Sequence, residues 1–88
     1  MSDSARLQRL KFRAWHRGTR EADYIMGCFF DRHHRAWGEG EIAWFEALLL
    51  EEDPDVLDWV LGAQPAPARF SGPLLTAMQK LDYVEVAR

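Results

Sequence analysis

Eighty-eight residues and 10.2 kDa leave room for one domain, near the size at which burial only just offsets the entropy of ordering the chain. Leu, Ile, Val and Phe make up 21 of the 88 residues, above the level of a disordered chain. The lone Cys28 can close no internal disulfide and has no companions at zinc-ligand spacing, so neither staple of small secreted domains is available. The opening Met1–Ser4 lacks the layout of a signal peptide, and no apolar run reaches the length of a membrane span. The expectation is a single soluble, cytoplasmic domain over residues 1–88 with a core from about 5 to 82 and no stable membrane insertion.

The formal charge of −3 hides a segregation along the chain. The first twenty residues carry Arg6, Arg9, Lys11, Arg13, Arg17 and Arg20 against the single acid Asp3. From Ala36 to Ala68 there is no Lys or Arg, while eight acids, Glu39 through Asp58, fill the middle. Such a dipolar domain suits an oriented encounter with a partner protein better than adhesion to nucleic acid or anionic lipid, whose phosphates would repel the acidic half.

Strong helix formers dominate and β-branched residues are few, which predicts an all-α fold. The first helix is expected from Ala5 to His16, with Leu7, Leu10 and Ala14 on one face and Arg6, Arg9, Arg13 and Arg17 on another. Gly18 is placed as its left-handed C-terminal cap, and Thr19 as the N-cap of a second helix from Arg20 to Ala36. Glu21 and Asp23 fall in the first turn of that helix, where its positive end favours acids. A third helix is read from Glu41 to Leu50. Asp53 as N-cap and Pro54 at the first helical position launch a fourth, with Val56, Leu57, Val60 and Leu61 inward. Gly62 to Ala68, with Pro65 and Pro67, is an extended linker. A fifth helix opens at Gly72-Pro73 and turns Leu74, Met78 and Leu81 inward, and Val84 to Arg88 are expected to fray. The sum is a compact five-helix bundle in a single domain. A core this small needs most of Phe29, Phe30, Trp37, Trp44, Phe45 and Trp59 for packing, so aromatic abundance alone marks no ligand site.

Sites of catalysis are hard to assemble from this inventory. His33 and His34 are adjacent and point about 100° apart on a helix, His16 lies on another helix, and Cys28 falls on a face expected to be buried, where a thiol is inert. No metal site and no catalytic residue is expected, and the chain does not read as an enzyme. The Arg stripe of the first helix invites a nucleic-acid reading, but the acidic total and the lack of a recognised binding signature argue against it.

The informative feature is Arg17-Gly18-Thr19-Arg20-Glu21. A glycine at a helix corner lets the chain turn sharply and lets another surface approach the main chain closely, and Arg17 and Glu21 flank that bare spot with opposite charges. The corner reads either as a docking site or as a plain helix cap with an Arg17–Glu21 surface pair.

With Arg17, Gly18 and Glu21 forming an Arg-Gly-x-x-Glu signature, Asp23 following, and Phe29-Phe30, Phe45 to Leu50 and Asp53-Pro54-Asp55-Val56-Leu57-Asp58-Trp59 further along, the sequence resembles the SdhE-type FAD assembly factors, also called succinate dehydrogenase assembly factor 2. The likeness covers about Leu7 to Leu81, and Trp15 departs from it, standing where a smaller residue is often found. The resemblance implies a bacterial cytoplasmic assembly factor that promotes covalent attachment of FAD to the flavoprotein subunit of succinate dehydrogenase, and by extension of fumarate reductase. In that family the bond joins a histidine of the flavoprotein to the flavin's ring methyl group, so FAD belongs to the client and no cofactor is expected to stay on this chain. The implied partner-binding residues are Arg17, Gly18, Arg20, Glu21 and Asp23, on a monomer. The competing expectation is a regulatory module that antagonises a membrane toxin, a role relatives of the family have also been given.

Overall fold

The structure, a computed structural model, describes residues 2–84. Five α-helices follow one another: α1 Ser2–Trp15, α2 Arg20–His33, α3 Glu39–Leu49, α4 Asp53–Leu61 and α5 Pro73–Lys80, with short 3-10 turns at His34–Ala36 and Ala68–Phe70. The expected all-α, five-helix, single-domain architecture is what the chain adopts. Its radius of gyration of 12.3 Å matches the roughly 12 Å of a well-packed chain this long. Residues 85–88 of the expected frayed end lie outside the described residues, and Val84 packs half-buried against the core.

Local chemistry sets most of the boundaries. Thr19 caps α2 as expected: its Oγ1 accepts the Ala22 N–H at 3.2 Å, and Glu21 and Asp23 occupy the first turn. The second helix closes earlier than Ala36, its last residues tightening into the 3-10 turn while His34 Nδ1 lies 2.8 Å from the Phe30 carbonyl. The third helix begins two residues before the expected Glu41, because Glu41 reaches back to accept the Gly38 N–H at 2.8 Å and draws Glu39 and Gly40 into the first turn. The fourth is capped by Glu52, so Asp53 is its first helical residue and not its N-cap. Gly62, at φ +81°, ends it in the left-handed conformation.

The core is aromatic at its centre. Phe29, Phe30 and Phe45 are fully buried with ring centroids 5.9 to 6.2 Å apart across α2 and α3, and Tyr83 closes one end edge-on to Phe29. Leu10 and Ala14 enter from α1, Val56, Trp59 and Val60 from α4, and Leu75 and Met78 from α5. The proline-containing linker is anchored by Phe70, whose ring sits 5.5 Å from Trp59 and whose carbonyl accepts the Trp44 indole N–H at 3.3 Å. Burying these rings is worth about 1.5–3 kcal/mol each, which is how so short a chain holds five helices without a crosslink.

Part of the charge segregation is consumed inside the fold. Arg6 on α1 forms a fork to two carboxylates of α3, with Glu46 at 2.6 and 2.8 Å and Glu39 at 2.7 and 2.8 Å. These bonds raise the Arg6 pKa and hold Glu46 below its ordinary value, the Arg6 hydrogen bond being the largest cause. The basic N-terminal stretch is therefore not uniformly solvated: Arg6 on α1 and Arg17 just beyond it turn toward the acidic middle of the chain.

Candidate docking corner

Between α1 and α2 the chain reverses over His16 to Thr19. The first helix stops at Trp15, so Gly18 lies beyond the position of a helix C-terminal cap and serves the turn itself, at φ +117°. That angle lies in territory nearly confined to glycine. A Cβ built on Gly18 would meet no atom within 4 Å, so the glycine is required by the backbone angle and not by crowding from this chain. Its outer side is open to another surface.

The five expected site residues separate into two groups. Arg17 and Asp23 work inside the fold. The Arg17 backbone N–H donates to Asp23 Oδ1 at 2.6 Å, fixing the chain as it leaves α1. Its guanidinium reaches the start of α4, with Nε 2.9 Å and Nη2 2.7 Å from Asp53 Oδ1 and Nη2 3.3 Å from the Glu51 carbonyl. The Arg17 side chain is only 11% exposed. The expected surface pair with Glu21 does not form, because the guanidinium is spent on Asp53. The same bond explains why Asp53 does not cap α4: its carboxylate is held by a residue 36 positions away.

Gly18, Arg20 and Glu21 face solvent. Gly18 and Arg20 line a depression of about 530 Å³ together with Trp15, His16, Thr19, Asp23 and Tyr24. The structure thus brings an exposed backbone, a cation and an anion to one edge of the turn, and rigidifies that edge from behind through Arg17 and Asp23. Such an edge can enter a cleft of a partner and make polar contacts on both sides. Among the described residues no three His, Cys, Asp or Glu side chains converge as metal ligands, and Cys28 is buried. No helix among the described residues is long and apolar enough to cross a membrane.

Sequence reasoning missed the aromatic neighbours of this corner. Phe12 is 63% exposed and stacks on His16, with ring centroids 4.0 Å apart. A signal was present: Phe12 lies two positions past Leu10, about 200° around the helix from the core-facing stripe.

Comparison with known proteins decides the kinship. Residues 8–82 match the family model described as flavinator of succinate dehydrogenase. The chain belongs to this family. Among its relatives, the FAD assembly factor SdhE of Acetobacter pasteurianus is 39% identical over 75 residues, which cover 85% of this chain and 69% of that protein. The mitochondrial succinate dehydrogenase assembly factors 2 of Mycosarcoma maydis and Dictyostelium discoideum are 31% and 26% identical over 72 residues, or 82% of this chain. The matched region spans only 30% and 51% of those two longer relatives. The flavinator model takes in the whole corner and every α-helix except the first turns of α1.

Proposed function

We propose that this chain is a non-catalytic assembly factor that binds the flavoprotein subunit of succinate dehydrogenase and promotes covalent attachment of FAD there. The observation that carries the reading is the Gly18 corner, bare on its outer side and flanked by exposed Arg20 and Glu21, in a chain of the flavinator family. Attachment requires a histidine of the client and the flavin ring to be held in reacting distance, and positioning alone can supply a large part of such a barrier. The corner acts as a wedge that binds one arrangement of the client's domains and shifts the population toward it. The chemistry and the flavin remain the client's. Fumarate reductase, whose flavoprotein poses the same positioning problem, is a second client on this reading, and the factor works as a monomer in the bacterial cytoplasm.

The test is in-gel flavin fluorescence of the succinate dehydrogenase flavoprotein in cells with and without this chain. Covalent flavin should fall sharply without it, and equal fluorescence in both would sink the reading. Gly18→Ala and Gly18→Arg locate the effect. Both force a side chain into φ +117° and share a backbone cost of about 1–3 kcal/mol, while only arginine adds bulk to the open side. Equal melting temperatures with binding lost far more in Gly18→Arg are expected for a docking edge.

A further inference from the structure

We infer that the aromatic face beside the Gly18 corner, formed by Phe12, Trp15, His16 and Tyr24, is a second contact for the flavoprotein subunit, receiving an apolar side chain accompanied by a carboxylate. The inference rests on the docking role proposed for the corner and extends it along α1.

Phe12 contributes nothing to the core, yet it is held in place. Its ring lies over the His16 ring at 4.0 Å with planes 17° apart, and His16 Nδ1 is 2.7 Å from the Phe12 carbonyl oxygen. An exposed aromatic ring already fixed in position loses little freedom on binding. Trp15 is fixed even more firmly. Its indole lies directly on the α2 backbone at Gly27, where any Cβ would overlap the ring, its Nε1–H donates to Asp31 Oδ2 at 3.2 Å, and Tyr24 meets it edge-on at 6.1 Å. Glycine inside a helix costs about 1 kcal/mol, and at Gly27 that cost is offset by seating the indole. The result is a rigid aromatic wall on the solvent side of α1 and α2.

This wall is continuous with the corner. A depression of about 480 Å³ beside Phe12 and Lys11 shares Trp15 and His16 with the larger one that contains Gly18, so the wall adjoins the corner. Charge selects the occupant. Asp31 is engaged by the Trp15 indole and by Lys11 at 3.8 Å, whereas exposed Arg20 makes no ion pair among the described residues. An exposed aromatic ring in one depression and, in the adjoining one, an arginine without an ion pair among the described residues make the composition of an interface hot spot, which fits an apolar side chain with an acid beside it.

The experiment titrates the purified succinate dehydrogenase flavoprotein, prepared without covalent flavin, with the wild-type chain, Phe12→Ala, Arg20→Glu and Gly18→Arg, each checked by circular dichroism for folding. Phe12→Ala should bind about tenfold more weakly, and Arg20→Glu should slow association, most clearly at low salt. If Phe12→Ala binds within about twofold of wild type while Gly18→Arg fails to bind, the aromatic face is not a contact and the corner reading stands alone. Failure of the wild-type chain to bind would remove both. Sedimentation of the free chain as a dimer that Phe12→Ala dissociates would assign the face to a second copy of this protein and overturn the inference.

Discussion

The inward turn of Arg17 makes it a strut between the α1–α2 corner and the start of α4, and this can be tested by stability. Arg17→Ala removes two N–H contacts to Asp53 Oδ1, at 2.9 and 2.7 Å, and one to the Glu51 carbonyl at 3.3 Å. A fully exposed pair would be worth at most about 1 kcal/mol, and breaking a fully buried one about 3–5 kcal/mol. With Arg17 11% and Asp53 22% exposed, the pair lies between these limits. Asp53 would also keep the favourable field of the α4 N-terminus, which lessens the loss. The expected cost is about 2 kcal/mol, or a drop of roughly 8–16 °C in melting temperature for a domain of this size. Arg17→Lys, which keeps the charge but not the fork, should lose about half as much. Glu21→Ala, at an exposed position with no ion pair among the described residues, should stay within about 0.5 kcal/mol of wild type. Thermal melts followed by far-ultraviolet circular dichroism measure all three. A melting temperature for Arg17→Ala within about 2 °C of wild type would refute the strut.

Gly27→Ala should destabilise by about 1–3 kcal/mol through overlap with the Trp15 ring, yet stabilise by about 0.5–1 kcal/mol in a Trp15→Ala background, where only helix propensity remains; chemical denaturation of the four chains gives both signs. Tyr83→Phe removes a buried hydroxyl that donates to the Met78 carbonyl at 2.9 Å. That carbonyl still accepts from Leu81 N at 3.2 Å, so the cost should be only about 1 kcal/mol, read from the same melts. Acid should weaken the fold in two stages. Burial, and secondarily Arg32, hold His33 below its ordinary 6.5, and Arg6 holds Glu46 below its ordinary 4.5, so the unfolded chain takes up protons first at both sites and stability falls as pH drops through each folded value. Melting temperatures measured from neutral to acid pH should show His33→Gln flattening the first decline and Glu46→Gln the second; stability rising on acidification below 6.5 would contradict both assignments.

Legibility followed sequence distance. Thr19 as a cap, the proline at the start of α5 and the apolar stripe of Leu7, Leu10 and Ala14 depend on neighbours within one or two turns, and the chain spells them out. The start of α3 is equally local, because Glu41 stands three residues after Gly38 and its carboxylate accepts the Gly38 N–H. What remained hidden was contact across the fold. Arg17 sits 36 positions from Asp53 and Arg6 sits 40 from Glu46, so the segregation of charge was visible while its use as internal bracing was not. The Arg17–Glu21 surface pair that the corner also suggested fails for the same reason, because the Arg17 guanidinium is taken by Asp53, a partner no local pattern announces. For the same reason Gly27 looked unremarkable and Trp15 stood out only as a departure from the family pattern, and only their packing reveals one as the seat of the other.

The division within the corner gives stability and recognition different residues. Arg17, Asp23 and Asp53 tie the turn to α2 and α4, and any change there moves the edge as well as loosening the fold. Gly18, Arg20, Glu21 and Phe12 touch solvent and, apart from the glycine's backbone angle, carry little of the folding energy. An edge held from behind in this way presents one shape before the partner arrives, so binding need not spend free energy on ordering it. Substitutions along the outer set should therefore cost affinity without a matching fall in melting temperature, while those along the inner set should cost both together. Proportional loss of the two quantities across all of these positions would mean that the corner contributes to function only by keeping the domain folded.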